Sequence, residues 1–185
     1  MAVAGQTVTA SQDAYVVPGN GLNFGTVPAI TVGSFGSEGL VQFDLTQLPA
    51  GLTGSQILRA TLTLFANHVN VAGLVTVHVA DGGWTETGVN GNAAPAPGAT
   101  VGSVSVASAN AFVTLDVTAA VQNWMNGGEN DGFLIEAASG ASVQFDSKEN
   151  PSTSHPAQLN LYLASTGPVG PAGPPGAPGP PGMQG

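Results

Sequence analysis

Few side chains in this sequence can do acid–base or metal chemistry. Asp13, Asp44, Asp116, Asp146 and Glu149 fall at strand ends or beside turns. Two of them brought together could act as the acid and base of a glycosidase. The plainer reading is that a strand-end Asp caps a turn by accepting local backbone N–H groups. Calcium is an intermediate option, needing about six to eight oxygen ligands. Its weak candidates are Asp13, Glu129, Asp131, Asp146 and Glu149, with no EF-hand spacing among them. Glu129, Asn130 and Asp131 read as the turn joining a helix to the next strand, so no metal is assigned and no cofactor is expected. His68, His78 and His155 form no H-x-x-x-H pair, and a lone strand histidine such as His78 reads as a polar-face residue. There is no G-x-S-x-G, and Gly33-Ser34-Phe35-Gly36 has the wrong spacing for one. With no cysteine in the chain, thiolate zinc sites and cysteine nucleophiles are excluded together. No catalytic residue is assigned and enzyme activity is not expected. Among the aromatic side chains, Trp84 sits in a loop after a strand and could offer a stacking platform for a sugar ring. Its other reading is packing over the end of the fold, because tryptophan is heavily buried on average. Phe43, Phe65, Phe112, Phe133 and Phe145 lie within strand patterns and are expected in the core.

The elements that must position these residues are mostly strands. Ile57–Phe65 alternates, with Leu58, Ala60, Leu62 and Leu64 on one face and Arg59, Thr61 and Thr63 on the other. Leu74–Val79, Ala111–Val117 and Gln158–Leu163 alternate in the same way. Shorter candidates are Thr7–Ala10, Ala14–Val17, Ala29–Val32, Leu40–Leu45, Thr100–Val106, Gly132–Ala137 and Ser142–Asp146. A period of two with one apolar face marks half-buried antiparallel strands. Turn residues separate them, as in Pro18-Gly19-Asn20-Gly21 and Asp81-Gly82-Gly83. One segment, Thr118–Asn126, has a helical face of Val121, Trp124 and Met125, with Thr118 as N-cap and Gly127-Gly128 as terminator. The expected fold is an all-β jelly-roll sandwich with one short helix, spanning residues 1–165.

Residues 166–185 follow a different rule. Glycine stands at Gly167, Gly170, Gly173, Gly176, Gly179, Gly182 and Gly185, every third position. Half of the chain's 14 prolines fall in the same stretch, and no charged residue does. Only glycine fits the crowded axis of a triple helix, and proline pre-sets its polyproline II backbone. This is a collagen-like repeat, expected to form a triple-helical tail. Nineteen residues span only about 60 Å at ~3.1 Å per residue, so a trimeric head is expected to bring three chains together in register. The repeat runs to the last residue, which suggests a longer stalk.

Charge narrows the partners. Two basic residues, Arg59 and Lys148, face 11 acidic ones for a net charge of −9, and only 7% of residues are charged. Nucleic acid needs clustered Lys and Arg, so it is excluded as a partner. No apolar run approaches the ~18 residues that span a bilayer, so membrane insertion is not expected. Met1–Gly5 lacks a signal-peptide n-region.

Several short motifs occur in a familiar order. They are Asp13-Ala14-Tyr15-Val16, Asn23-Phe24-Gly25, Gln42-Phe43-Asp44-Leu45, Gly83-Trp84-Thr85-Glu86, Leu115-Asp116-Val117-Thr118, Val121-Gln122-Asn123-Trp124 and Phe145-Asp146-Ser147-Lys148-Glu149. Together they resemble the DNRLRE domain of bacterial and archaeal extracellular proteins, a family related to carbohydrate-binding modules. The resemblance covers nearly all of residues 10–164. It implies a jelly-roll sandwich acting as a surface-exposed, non-catalytic module. Alginate-binding relatives need cations for uronate carboxylates, and where the family usually carries an arginine this chain has Gln42. The charge of −9 therefore disfavours a polyanionic glycan and leaves a neutral glycan as a candidate ligand. The expected protein is an extracellular or bacterial cell-surface homotrimer whose head nucleates the collagen-like helix. The alternatives are a carbohydrate-binding or adhesin head on a stalk, or a fibre subunit linked by strand exchange through Met1–Ala10.

Overall fold

Alternation in the sequence becomes ten antiparallel strands and one short helix in a computed structural model, which describes residues 3–138 and 140–164. The strands are β1 (Val3–Val16), β2 (Ala29–Val32), β3 (Glu38–Phe43), β4 (Ile57–Val71), β5 (Gly73–Asp81), β6 (Ala96–Val106), β7 (Ala111–Asp116), β8 (Phe133–Ala137), β9 (Ser142–Asp146) and β10 (Gln158–Ala164). The helix α1 covers Thr118–Met125, between β7 and β8. The glycine repeat from Gly167 to Gly185 lies outside the described residues.

The strands form the two layers of an all-β sandwich. In the first, β7, β4, β10 and the beginning of β1 lie side by side, and the end of β4 carries β9 and then β2. In the second, the end of β1 is followed by β3, β8, β5 and β6. β1 serves both layers. Its register breaks between Ala10 and Gln12, where it leaves β10 and joins β3. A bulge bends and twists a strand, which lets one strand turn this corner. The two strands expected at Thr7–Ala10 and Ala14–Val17 are therefore one. The fibre alternative meets the same fact: Val3–Thr9 is already paired with β10 of its own chain.

Between the layers lies a core that includes Val8, Phe43, Leu62, Phe133, Ile135, Phe145 and Leu161. Trp124 closes it from α1, with its ring 4.8 Å from that of Phe133. Two local expectations fail. Leu58 was placed with Ala60, Leu62 and Leu64 on the buried face. An irregularity opposite Tyr162 and Leu163 instead buries Ile57 and leaves Leu58 51% exposed. Thr118 was expected to cap the helix, but Val117 holds the cap position. The Thr118 hydroxyl instead accepts the Ala60 N–H at 2.9 Å, tying α1 to β4, while Asp116 Oδ1 accepts the Thr118 N–H.

The second layer is covered on both faces. Its outward residues Ala14, Val16, Leu40, Ala80 and Leu134 form a smaller apolar cluster with Trp84 and Val89 from the segment after β5. Satellite clusters of this kind commonly form under long loops.

Candidate functional site

Each carboxylate has a definite place. Asp44 accepts the Thr46 N–H at 3.0 Å and Asp116 that of Thr118, so both act as local caps. Asp146 is buried and fully engaged. Its Oδ1 accepts from the side chains of Asn67 and Asn150, and its Oδ2 from the Thr153 hydroxyl and the His155 N–H. It fixes the turn after β9. Asp131 Oδ2 accepts the Gly82 N–H at 3.2 Å, and Glu129 is exposed.

Of the five calcium candidates, the structure brings only Asp13 and Glu149 together, and it adds Glu86. Carboxylate oxygens of these three lie within 4.8 Å of one another. The Lys148 ammonium stands among them, 2.8 Å from Glu86 Oε1 and hydrogen-bonded to Glu149. Burial would lower the Lys148 pKa, but its bonds to Glu149 and Glu86 raise it above the ordinary value. Asp13 is 1% exposed. Burial lifts its pKa to about 7, helped by the nearby Glu149 and Glu86 charges and opposed by a hydrogen bond from the Lys148 N–H. Three carboxyls at this spacing could suggest a glycosidase pair, yet Asp13 is too deeply covered to meet a glycosidic oxygen. The cluster joins β1, the segment after β5 and the turn after β9. Glu86 is the member the sequence reading missed as a ligand, although it ends the Gly83-Trp84-Thr85-Glu86 motif.

Trp84 is packed away. It is 8% exposed, and its indole N–H donates to the Asp131 carbonyl at 2.8 Å. The segment folds down over the outward apolar residues of β3 and β8 and takes the ring with it. Its face is not free for stacking on a sugar.

An open aromatic surface lies elsewhere. Along β7 and the residue after it, Val113, Leu115 and Val117 turn inward, so Phe112, Thr114 and Asp116 turn outward. Phe112 is 58% exposed, against the expectation that it is core. Strand parity overrides its hydrophobicity. Phe112 lies opposite Phe65 of β4, ring edge to face at 4.9 Å. His155 stacks on Phe65 at 4.2 Å and meets Phe112 at 5.2 Å. His155 is held there through its own N–H to Asp146.

From this cluster, outward side chains run in rows across four strands. One row is Thr114, Thr63, Gln158 and Thr9. The next is Asp116, Thr61, Asn160 and Thr7. The last holds Arg59 and Tyr162, with Tyr162 50% exposed. Thr7 donates to Asn160 Oδ1, and Asn160 donates to the Thr63 hydroxyl, both at 2.9 Å. Phe65 and Arg59 are six residues apart on β4, so the two aromatic ends stand about 20 Å apart along the strands. The middle is uncharged except for Asp116, which lies 3.8 Å from Arg59.

A model of carbohydrate-binding module family 96 matches residues 4–162. The chain belongs to this family. No curated protein matches the chain significantly. The matched region takes in both layers of the sandwich and stops before the glycine repeat. The resemblance to a carbohydrate-binding relative, read from the short motifs, is thereby supported. A module of family 96 is a binding domain, and the surface on β7, β4, β10 and β1 has the parts such a domain needs. Exposed rings can stack on the apolar face of a pyranose, and hydroxyl and carboxamide groups between them can exchange hydrogen bonds with sugar hydroxyls. Among the described residues no helix is long and apolar enough to cross a membrane.

Proposed function

We propose that residues 1–165 are a non-catalytic jelly-roll head that binds a neutral glycan on the outer face of β7, β4, β10 and β1. The observation that carries this is the open, nearly uncharged row of Thr, Asn and Gln side chains between Phe112 and Tyr162 in a family 96 module. A uronic-acid polymer would need free cations. Lys148 is held by Glu86 and Glu149, and Arg59, the basic side chain on this face, stands exposed 3.8 Å from the Asp116 carboxylate. A glycan array with the head tests the reading. Neutral glycans should bind, and Phe112→Ala should weaken them at least tenfold, about 1.4 kcal/mol, with a cooperative melting transition retained. A blank array, or a variant that binds as tightly as the parent, would refute it.

The strict glycine period favours a second role beside the first. The last strand ends at Ala164, and the repeat opens at Gly167. The head is proposed to be a homotrimer that feeds three tails into one collagen-like helix, outside the cell or on its surface. Trimerisation would also multiply weak glycan contacts by avidity.

A further inference from the structure

Along one side the two layers meet through packing and not through a shared strand ladder. β6 pairs only with β5, and β7 only with β4. Where these two edge strands part, beside the start of α1, they leave a cleft of about 470 Å³. Its walls are small and apolar, with Ala99 and Val101 on β6 facing Val117 and Ala120. Its polar groups are Thr100, Asn123 and Asp116. Asp116 also belongs to the outer face described above, where it lies opposite Thr61. The cleft is thus continuous with that surface.

We propose that this cleft is a subsite for an N-acetylated neutral sugar of the bound glycan. The inference rests on the proposed glycan-binding function. An acetamido group has three requirements: an apolar wall for its methyl, an acceptor for its N–H and a donor for its C=O. The alanine and valine side chains supply the first. Asn123 is exposed and lines the cleft, and its carboxamide, which lies against Gly128, makes no side-chain hydrogen bond among the described residues and can supply the other two. Thr100 is already engaged with His78 Nδ1 at 3.2 Å. Contacts with Thr118 hold the Asp116 carboxyl below its ordinary range, so the cleft mouth carries a carboxylate with Arg59 3.8 Å away. A plain hydroxyl in place of the acetamido group would leave the apolar wall unfilled. Sites shaped around a polar substituent discriminate strongly against analogues lacking it.

Titration calorimetry with three β-1,4 tetramers that differ only at C2 tests this: N-acetylglucosamine, glucose and free glucosamine. The acetylated tetramer should bind at least tenfold more tightly than the glucose tetramer. Ala120→Leu, which fills the cleft, and Asn123→Ala, which removes the exposed carboxamide, should each bring it down to the glucose value. Phe112→Ala should weaken both. Melting curves will show that the variants fold, and Asn123→Ala covers the case in which Ala120→Leu does not. Equal affinity for the acetylated and glucose tetramers would overturn the subsite and leave the glycan-binding surface standing. So would tightest binding of the free amine, or no effect of either cleft variant. If no tetramer binds, the subsite is overturned, and the glycan array decides the proposed function separately.

Discussion

At pH 7 the Asp13 carboxyl sits near its own midpoint, because burial has moved its pKa from 3.8 to about 7. The folded state therefore binds this proton more tightly than the unfolded chain does. Stability from the proton is complete below pH ~4 and is lost as pH rises through ~7. The unfolding free energy should fall by roughly 2–3 kcal/mol between pH 5 and 8 through this group alone. Asp13→Asn keeps an acceptor for the Lys148 N–H and has no charge to bury. Urea titrations across that range should give a much flatter profile for the variant; parallel profiles would refute the assignment. Trp84 poses the complementary test. As a buried ring its truncation to Ala should cost about 3–5 kcal/mol. The folded remainder should bind glycan as the parent does, because the ring touches β3 and β8 and not the outer face of β7 and β4.

At the scale of elements, strand parity was legible and strand neighbours were not. Ala29–Val32 and Ser142–Asp146 appear with the boundaries read from alternation. The inward run Val113, Leu115, Val117 already required Phe112 to face out, and only the prior that phenylalanine is buried hid it. Leu58 failed for another reason, since a bulge opposite Leu163 is invisible to any strict period. The proposed glycan surface could not be assembled from sequence because it draws on β7, β4, β10 and β1, far apart in the chain and adjacent only through long-range pairing. Two of the motifs that carry the family resemblance, Asn23-Phe24-Gly25 and Gly83-Trp84-Thr85-Glu86, turn out to hold the lid over the second layer. The Asn23 carboxamide donates to the Glu86 and Val89 carbonyls, both at 2.7 Å, and Phe24 stacks on Tyr15 at 4.4 Å. Gly25 lies so close that a β-carbon there would stand 2.0 Å from the Glu86 carbonyl oxygen. Gly25→Ala must push backbone aside and loosen the Trp84 lid. A loss of roughly 2 kcal/mol or more in urea denaturation is expected, within the range of overpacking. A variant as stable as the parent would show that the lid is not held at this crossing.

At the scale of the whole molecule, the charge of −9 belongs entirely to residues 1–165, and the glycine repeat carries none. Collagen-like chains without charged side chains have no interchain ion pairs with which to set their stagger. In the proposed trimer, register must then come from whatever holds the three chains together. With β10 ending at Ala164, an ordered head leaves only a few residues of slack before Gly167. A short helix nucleated by its head should melt separately from a head that has its own core. Circular dichroism on heating should therefore show two transitions, the first losing the polyproline II band. Gly176→Ala should abolish the first and leave the second in place, because one side chain at the axis disrupts so short a triple helix. Light scattering should still find a trimer if the head holds the chains together. A monomer would instead assign trimerisation to the tail, and the proposed order of assembly would be reversed.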